Sequence, residues 1–343
     1  MAGWYRILAF DGGGVRGWLT ARLVDRLDAA VPGWWSRADL LAGTSTGSLL
    51  ALGLAAGHSP RDLMALYEQH ASAIFRDSVL DNLADLGNWV GAQYSDKPLR
   101  NVLREVFGDL RLRDLPRRVL IPAFDLDNEH PDPSRRSWAP KFFHNFPGWD
   151  SDGDRFVRDV ALYSCAAPTY FPSADGFIDG GVVANNPSMA ALAQTQDPRN
   201  GEPNPPLDRV VLLSLGTGQP LWRIEGARHD WGRAQWLGPL IDLMFDGLMG
   251  VADYQCRQLL GPRYHRLSPR LPPNRIIRMD DWKRLAELRQ LAEQVKLKET
   301  VQWLRDMWSR TRRTRLLKPK PAPSRARGPT RSRSQSNRPS DTA

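Results

Sequence analysis

A serine and a glycine-rich loop, each directly after a short apolar run, have the residue types and spacing for acyl-transfer chemistry. The serine, Ser45, stands in Gly43-Thr44-Ser45-Thr46-Gly47 after the run Leu40-Leu41-Ala42. A G-x-S-x-G turn between a strand and a helix presents the serine hydroxyl at the helix N-terminus, where the helix dipole favours developing negative charge. Gly43 and Gly47 leave room around the serine. We therefore take Ser45 as a candidate nucleophile.

The loop Asp11-Gly12-Gly13-Gly14-Val15-Arg16-Gly17 follows the apolar run Ile7-Leu8-Ala9-Phe10. Consecutive glycines reach backbone conformations closed to other residues, so the N–H groups of Gly12, Gly13 and Gly14 can converge on one anion. A phosphate-binding loop also lies between a strand and a helix, but the G-x-G-x-x-G spacing and the P-loop lysine are missing. An oxyanion hole beside the serine fits better. Arg16 either orients this loop or adds positive potential to it, or it forms an ordinary helix salt bridge.

A third motif supplies a carboxylate. Asp179 ends the apolar stretch Phe177-Ile178 and is followed by Gly180 and Gly181. An aspartate that leaves a strand at a glycine turn can point into a cleft, although Asp-Gly alone is an ordinary turn signal.

The elements that must position these residues alternate between strands and helices. The apolar pattern predicts strands at 5–10, 38–42, 118–124, 141–146 and 209–215, and helices at 16–30, 48–56, 60–75, 235–260 and 281–309. This alternation predicts a three-layer α/β/α fold with a mostly parallel central sheet and a helical C-terminal extension. The less regular segment 76–100, with Trp89 and Tyr94, is predicted to form a flap or a wall of the active site.

The charge divides the chain into a domain, 1–309, and a tail, 310–343. The tail holds eleven Lys and Arg residues and one acidic residue, whereas the other 309 residues hold 36 basic and 37 acidic ones. The tail contains almost no apolar residues, so we expect it to be disordered. Its positive charge favours contact with an anionic membrane surface. The alternative is a solvated tail that has no specific role. Nucleic-acid binding is disfavoured because the tail lacks interleaved aromatic residues.

Composition restricts the location of the protein. No run of about 18 apolar residues predicts a transmembrane helix, and the N-terminus lacks the pattern of a signal peptide. Two cysteines, Cys165 and Cys256, do not form a disulfide framework and are expected to be buried thiols. These features favour a cytoplasmic protein.

Asp-Gly-Gly-Gly-x-Arg-Gly, Gly-x-Ser-x-Gly and Asp-Gly-Gly, in this order, resemble the motifs of the patatin-like phospholipase family. The similarity spans about residues 5–220, the motif-bearing part of the domain, and leaves a helical part at about 221–309 without a recognised motif. The resemblance implies that Ser45 is the nucleophile, that Asp179 is its acid–base partner, and that the amides of Gly12, Gly13 and Gly14 form the oxyanion hole. Gly181 stands where the family often has alanine.

The implied mechanism is a Ser–Asp dyad that passes through an acyl-enzyme, without a cofactor. The competing reading is a Ser–Asp–His triad, because His229 and His265 follow Asp179 in the order of an α/β-hydrolase. Neither histidine has a distinctive setting in the sequence, so the dyad is favoured. No metal site is predicted, because no histidine pair has zinc-ligand spacing.

By resemblance, the expected function is hydrolysis of fatty-acyl esters of glycerophospholipids, of the phospholipase A type, in lipid catabolism. One alternative is a nucleotide-activated, membrane-degrading effector of bacterial antiphage defence. The other is a non-catalytic lipid-binding scaffold, against which the intact serine, aspartate and glycine loop argue.

Overall fold

A central β-sheet is the framework of this computed structural model, which describes residues 3–76, 92–221, 223–224, 230–272 and 277–309. The strands of these residues are β1 (Tyr5–Phe10), β2 (Leu40–Gly43), β3 (Arg118–Asp125), β4 (Ala139–His144), β5 (Phe177–Asp179), β6 (Val210–Leu215) and β7 (Tyr264–Leu267). Their order is β4-β3-β2-β1-β6-β7, and β5 pairs with β3. The pairs among β3, β2, β1, β6 and β7 are parallel, whereas β4 and β5 run antiparallel to β3.

Helices surround the sheet. They are α1 (Gly17–Ala30), α2 (Thr46–Ala56), α3 (Pro60–Ile74), α4 (Lys97–Phe107), α5 (Val157–Cys165), α6 (Gly181–Ala184), α7 (Ser188–Gln194), α8 (Arg233–Leu260), α9 (Leu285–Gln294) and α10 (Lys298–Trp303). Helix α3 begins with a capping box in which Ser59 and Asp62 bond each other's backbone amides. None of the helices described here is long and apolar enough to cross a membrane.

The two faces of the sheet carry separate cores. Along β1, Leu8 and Phe10 pack with helices α1, α2, α4 and α5, whereas Ile7 and Ala9 pack with α7 and α8. This follows from the period of two in a strand, which directs successive side chains to opposite faces. Because both faces are covered, the strands are largely apolar, β2 and β6 above all, and the fold has the three α/β/α layers that the sequence predicted.

The register of β2 and β5 along β3 determines where Asp179 lies relative to Ser45. Strand β2 pairs with residues 118–120 of β3, and β5 pairs with residues 123–125 on the same strand. Strand β5 therefore follows beyond the carboxyl end of β2, and Asp179, opposite Ala123, lies near the turn that carries Ser45. Phe10 at the end of β1 pairs with both Gly43 and Leu215, so the glycine-rich loop leaves the sheet at this same edge.

The structure corrects several element predictions. Residues 281–309 do not form one helix: α9 ends at Gln294, α10 begins at Lys298, and a π-helical turn covers Leu304–Trp308. The segment 76–100 is not irregular throughout, because α4 begins at Lys97, while its residues 77–91, including Trp89, lie outside the described residues. Strands β5 and β7 and helices α4, α5 and α7 were not predicted. The tail 310–343 also lies outside the described residues.

Candidate active site

Ser45 stands on a sharp turn between β2 and α2. Its backbone has φ 53° and ψ −126°, a conformation that is rare for a residue with a side chain. The turn is possible because Gly43 approaches Gly47 so closely that a Cβ on Gly43 would lie 2.0 Å from the Gly47 carbonyl oxygen. The strain therefore falls on the serine itself, as in the nucleophile elbow of ester hydrolases.

Hydrogen bonds hold the elbow in place. The Ser45 N–H donates to the hydroxyl oxygen of Ser164 at 3.0 Å, and the Ser164 hydroxyl donates to the Pro122 carbonyl at 2.6 Å. The Ser48 hydroxyl donates to the Ser45 carbonyl at 2.6 Å. These bonds satisfy the N–H and the carbonyl of Ser45, so its hydroxyl is not needed to hold the turn.

Asp179 lies close to Ser45. Its side chain is 1% exposed and accepts the Gly181 N–H at 2.6 Å. Burial raises the pKa of Asp179 to about 7, although the neighbouring Ser45 hydroxyl and the Gly181 N–H favour its ionised form. A carboxylate with a pKa near neutrality is a stronger base than an exposed one and can take a proton from an alcohol more readily.

The glycine-rich loop lies beside this pair, with one amide already engaged. The Gly12 N–H donates to the Asn185 carbonyl at 3.0 Å, so it is not available to an oxyanion as the resemblance implied. In the described part of the chain, no acceptor is found for the N–H groups of Gly13 and Gly14. These two amides remain as candidate oxyanion donors.

Three residues that the sequence did not assign to the site hold the loop. The Thr217 hydroxyl donates to the Gly12 carbonyl at 2.8 Å, and the Met279 carbonyl accepts the Val15 N–H at 2.7 Å. Asn185 provides the carbonyl that binds Gly12. Asn185 and Met279 act through backbone carbonyls, which carry no residue-type signal, and the Thr217 contact depends on how distant segments pack, so these contacts could not be predicted.

Below the loop, Asp11 forms a buried ion pair. Its side chain is fully buried, and both its oxygens bond the guanidinium of Arg266, which also donates to Ser214 at 2.7 Å. Burial raises the pKa of the Asp11 carboxyl, and the charge of Arg266 opposes this. The pair ties the start of the glycine loop to β7.

An apolar pocket opens at Ser45. It is lined by Gly14, Ser45 and Thr46 at the site, by Cys165 and Phe171, and by side chains of α3 and α4 that include Leu63, Leu66, Ile74, Leu99, Val102, Leu103 and Val106. Its empty volume is about 940 Å³, including open solvent. The lining is almost entirely hydrocarbon, so the pocket suits an acyl chain.

Of the two histidines of the competing triad, His265 is the one that the structure describes. It bonds the Thr300 hydroxyl at 2.9 Å and stacks on Trp303, so it is not the partner of Asp179. His229 lies outside the described residues. Among the side chains that the structure describes, no group of three or more His, Cys, Asp or Glu residues could hold a metal ion. Both cysteines are buried, as the sequence predicted.

Comparison with known proteins gives a consistent picture. The family model described as "Patatin-like phospholipase" matches residues 8–192, more than half of the chain. A "cGAMP-activated phospholipase" of Pseudomonas aeruginosa is 35% identical over 277 residues, covering 79% of this chain and 80% of that protein. "Protein teg" of Priestia megaterium is 31% identical, covering 78% and 88%, and "Patatin-like protein 1" of Oryza sativa is 30% identical, covering 72% and 68%.

Proposed function

Because this chain belongs to the patatin-like phospholipase family, we propose that it hydrolyses fatty-acyl esters of glycerophospholipids through a dyad of Ser45 and Asp179. The observation that carries the proposal is the proximity of the Ser45 hydroxyl to the buried Asp179 carboxyl, at the mouth of an apolar pocket. A strained serine, a carboxyl of raised pKa and a cavity lined by hydrocarbon converge at this point.

In the proposed first step, the Ser45 oxygen attacks the ester carbonyl carbon while its proton passes to Asp179. The N–H groups of Gly13 and Gly14 donate to the resulting oxyanion. When the tetrahedral intermediate collapses, the C–O bond to the alcohol breaks and the alcohol leaves with the proton held by Asp179. Asp179 is thereby a carboxylate again.

In the second step, a water molecule attacks the acyl-enzyme and gives its proton to Asp179. Collapse of the second intermediate breaks the bond to Ser45, which regains that proton, and releases the fatty acid. Each proton moves between one carboxylate and an oxygen within its reach, so the dyad needs no histidine.

The proposal is tested by comparing wild type with Ser45→Ala and Asp179→Asn. We expect a fluorophosphonate probe to label Ser45 in the wild type and not in Ser45→Ala. Mass spectrometry of products from a mixed panel of phospholipids, galactolipids and acylglycerols should show free fatty acid and lysolipid only with the wild type. If Ser45→Ala releases fatty acid at the wild-type rate, the dyad is wrong.

A second candidate function is a nucleotide-activated, membrane-degrading effector of bacterial antiphage defence. It is favoured by the relatives named "cGAMP-activated phospholipase", such as the one from Pseudomonas aeruginosa. It uses the same dyad but predicts an inactive resting enzyme. Measuring phospholipid hydrolysis with and without cGAMP separates the two: the first function requires activity without nucleotide, and the second requires at least a tenfold rise with it.

We further propose a cytoplasmic protein, with domain 1–309 and a basic tail 310–343 that contacts anionic membranes. The tail has eleven basic residues and one acidic residue, each basic residue contributing about 1 kcal/mol near such a surface. Deleting residues 315–343 should therefore weaken binding to anionic vesicles at low salt. Unchanged binding would assign the tail no role at membranes.

A further inference from the structure

A second pocket, of different chemistry, adjoins the apolar one. Tyr170 and Met279 line both pockets, so the two cavities meet in front of the glycine loop. The second pocket has an empty volume of about 490 Å³, including open solvent. Its Phe245 ring lies against Gly181: a Cβ on Gly181 would be 3.0 Å both from that ring and from the Asp179 carboxylate. The polar pocket is therefore next to the catalytic pair.

Arg16 supplies a buried cation to this second pocket. It is 8% exposed, and its Nε donates to the Gly13 carbonyl at 3.3 Å. Within the described ranges, its other N–H groups have no acceptor, and no carboxylate lies within 4.0 Å. A guanidinium carries five donors. Since Arg16 lines the second pocket, its free donors are open to that cavity and can bind an anionic group there.

The opposite wall carries negative charge. Asp242 and Asp246 lie one turn apart on α8 and line the pocket together with Phe245. The charge of Arg16 acts on both carboxyls, and burial raises the pKa of each. In the part of the chain that the structure describes, neither carboxyl forms a hydrogen bond or an ion pair. Arg16 and these two carboxyls thus line the same pocket without forming an ion pair with each other.

Arg278 adds a second cation at the rim. Its side chain is 65% exposed and lies 3.8 Å from Asp280, and the neighbouring Tyr170 raises the pKa of its guanidinium. Two arginines and two aspartates give the pocket no net charge but separate its positive and negative walls. Such a pocket complements a group that carries both a positive and a negative charge better than it complements a simple anion.

We propose that this second pocket binds the zwitterionic phosphoalcohol head group of the substrate, with the phosphodiester at Arg16 and Arg278 and the ammonium at Asp242, Asp246 and the Phe245 ring. Guanidinium groups recognise phosphate, and an ammonium is attracted both to carboxylates and to an aromatic face. The acyl chain then occupies the apolar pocket. The inference rests on the proposed function, because it assigns a substrate class to the same active site.

The first test compares lipids with identical acyl chains in nonionic mixed micelles. We expect the wild-type kcat/KM for dipalmitoyl phosphatidylcholine to exceed that for dipalmitoylglycerol and for dipalmitoyl phosphatidic acid by about tenfold or more. Arg278→Gln should lower the phosphatidylcholine-to-diacylglycerol ratio by about tenfold, equivalent to 1.4 kcal/mol. The double variant Asp242→Asn/Asp246→Asn should lower the phosphatidylcholine-to-phosphatidic acid ratio by a similar factor. We compare ratios of kcat/KM for two lipids because a substitution that disturbs the catalytic centre lowers both values and leaves their ratio unchanged.

Two exposed residues outside both pockets provide matched controls. Arg135→Gln and Asp208→Asn remove the same charges elsewhere and should leave both ratios at their wild-type values. If the wild type cleaves all three lipids equally well, or if the pocket variants keep the wild-type ratios, the head-group assignment is wrong while the proposed function stands.

A binding measurement separates the two proposals. We expect calorimetry to show that sn-glycero-3-phosphocholine binds the wild type and binds Asp242→Asn/Asp246→Asn about tenfold more weakly. Inorganic phosphate or cGAMP that binds as tightly, and displaces glycerophosphocholine, would instead mark an anion or nucleotide site and overturn the assignment. If no acyl ester is cleaved, the proposed function fails, and this measurement still decides what the pocket binds.

Discussion

The backbone N–H of Ser45 donates to the hydroxyl oxygen of Ser164, which is itself bonded to the Pro122 carbonyl of β3. Ser164 thereby links the strained turn at Ser45 to the strand that also pairs with β5 and positions Asp179. The two halves of the proposed dyad are thus fastened to one strand. Disturbing this link should misalign the dyad without touching either of its members.

Ser164→Ala removes the acceptor of the Ser45 N–H. We expect kcat/KM to fall by about 10- to 100-fold, because small displacements of a reacting group are costly, and the free energy of unfolding to fall by about 1–3 kcal/mol. Thr195→Val is the control, since it removes a buried hydroxyl bonded to the Leu192 carbonyl, away from the site. It should lower stability alone. Full kcat/KM in Ser164→Ala would refute the link.

The pH profile of activity should report Asp179. Only the ionised carboxylate can accept the Ser45 proton, and burial raises the pKa of Asp179 to about 7. We expect kcat/KM to rise about tenfold between pH 6 and pH 8 and then to level off. A soluble ester in a mixed buffer of constant ionic strength gives the cleanest profile. A flat profile from pH 5 to pH 8 would argue against this base.

The same raised pKa predicts how stability depends on pH. The folded protein holds the Asp179 proton more tightly than the unfolded chain, so its contribution to stability is complete below about pH 4 and is lost as the pH rises through about 7. The loss is about 4 kcal/mol. Asp179→Asn lacks this titration and should become more stable than wild type as the pH rises from 5 to 8. Chemical denaturation of both proteins measures the difference, and parallel curves would contradict the prediction.

Gly14→Ala should disable the proposed oxyanion loop. Gly14 has φ +57°, and a Cβ there would lie 2.1 Å from the Met279 carbonyl oxygen. We expect kcat/KM to fall by about 10²–10³, the usual cost of losing one oxyanion donor. Gly108→Ala also places a Cβ at a positive φ, +51° with ψ −129° and nothing within 4 Å, and should cost about 1–3 kcal/mol of stability without loss of activity. Equal effects on activity in both variants would rule out a specific role for the loop.

Val106→Trp should shorten the apolar pocket. Val106 is one of the α4 side chains in its wall, so a bulky ring there should exclude long chains first. We expect the ratio of kcat/KM for p-nitrophenyl hexadecanoate to that for the butanoate to fall by about tenfold or more. Val251→Trp, at a side chain that is 53% exposed, is the control and should not change the ratio. If Val106→Trp also leaves it unchanged, the acyl chain lies elsewhere.

The sequence predicted β1, β2, β3, β4 and β6 because each contains a short apolar run with turn residues near its ends. Strand β5 was not predicted because Phe177–Asp179 has three residues, too few to show a period. Strand β7 was not predicted because His265 and Arg266 interrupt its apolar pattern. In the structure, Arg266 is buried in it because Asp11, distant in the chain, neutralises its charge. Pairing over that distance leaves no local signal.

For the candidate site, the serine, the aspartate and the glycine loop could be predicted because their motifs are local and ordered. The occupied amide of Gly12 and the second pocket could not. The first depends on the Asn185 carbonyl. The second is assembled from α8 and residues 277–279, in a part of the chain where no motif was recognised. Local patterns identify residue types, whereas pockets depend on how distant segments meet.

The position of β5, beyond the carboxyl end of β2 on the edge of β3, affects where homologues can vary in chain length. The chain leaves β3 at Asp125 and returns to it at Phe177, and β2 pairs with the same strand, so main-chain pairing sets the spacing of the proposed nucleophile and base. Insertions or deletions in the exposed stretch at 126–138 should be tolerated without moving Ser45 or Asp179. Homologues are therefore expected to diverge in length at this place while the proposed dyad keeps its geometry.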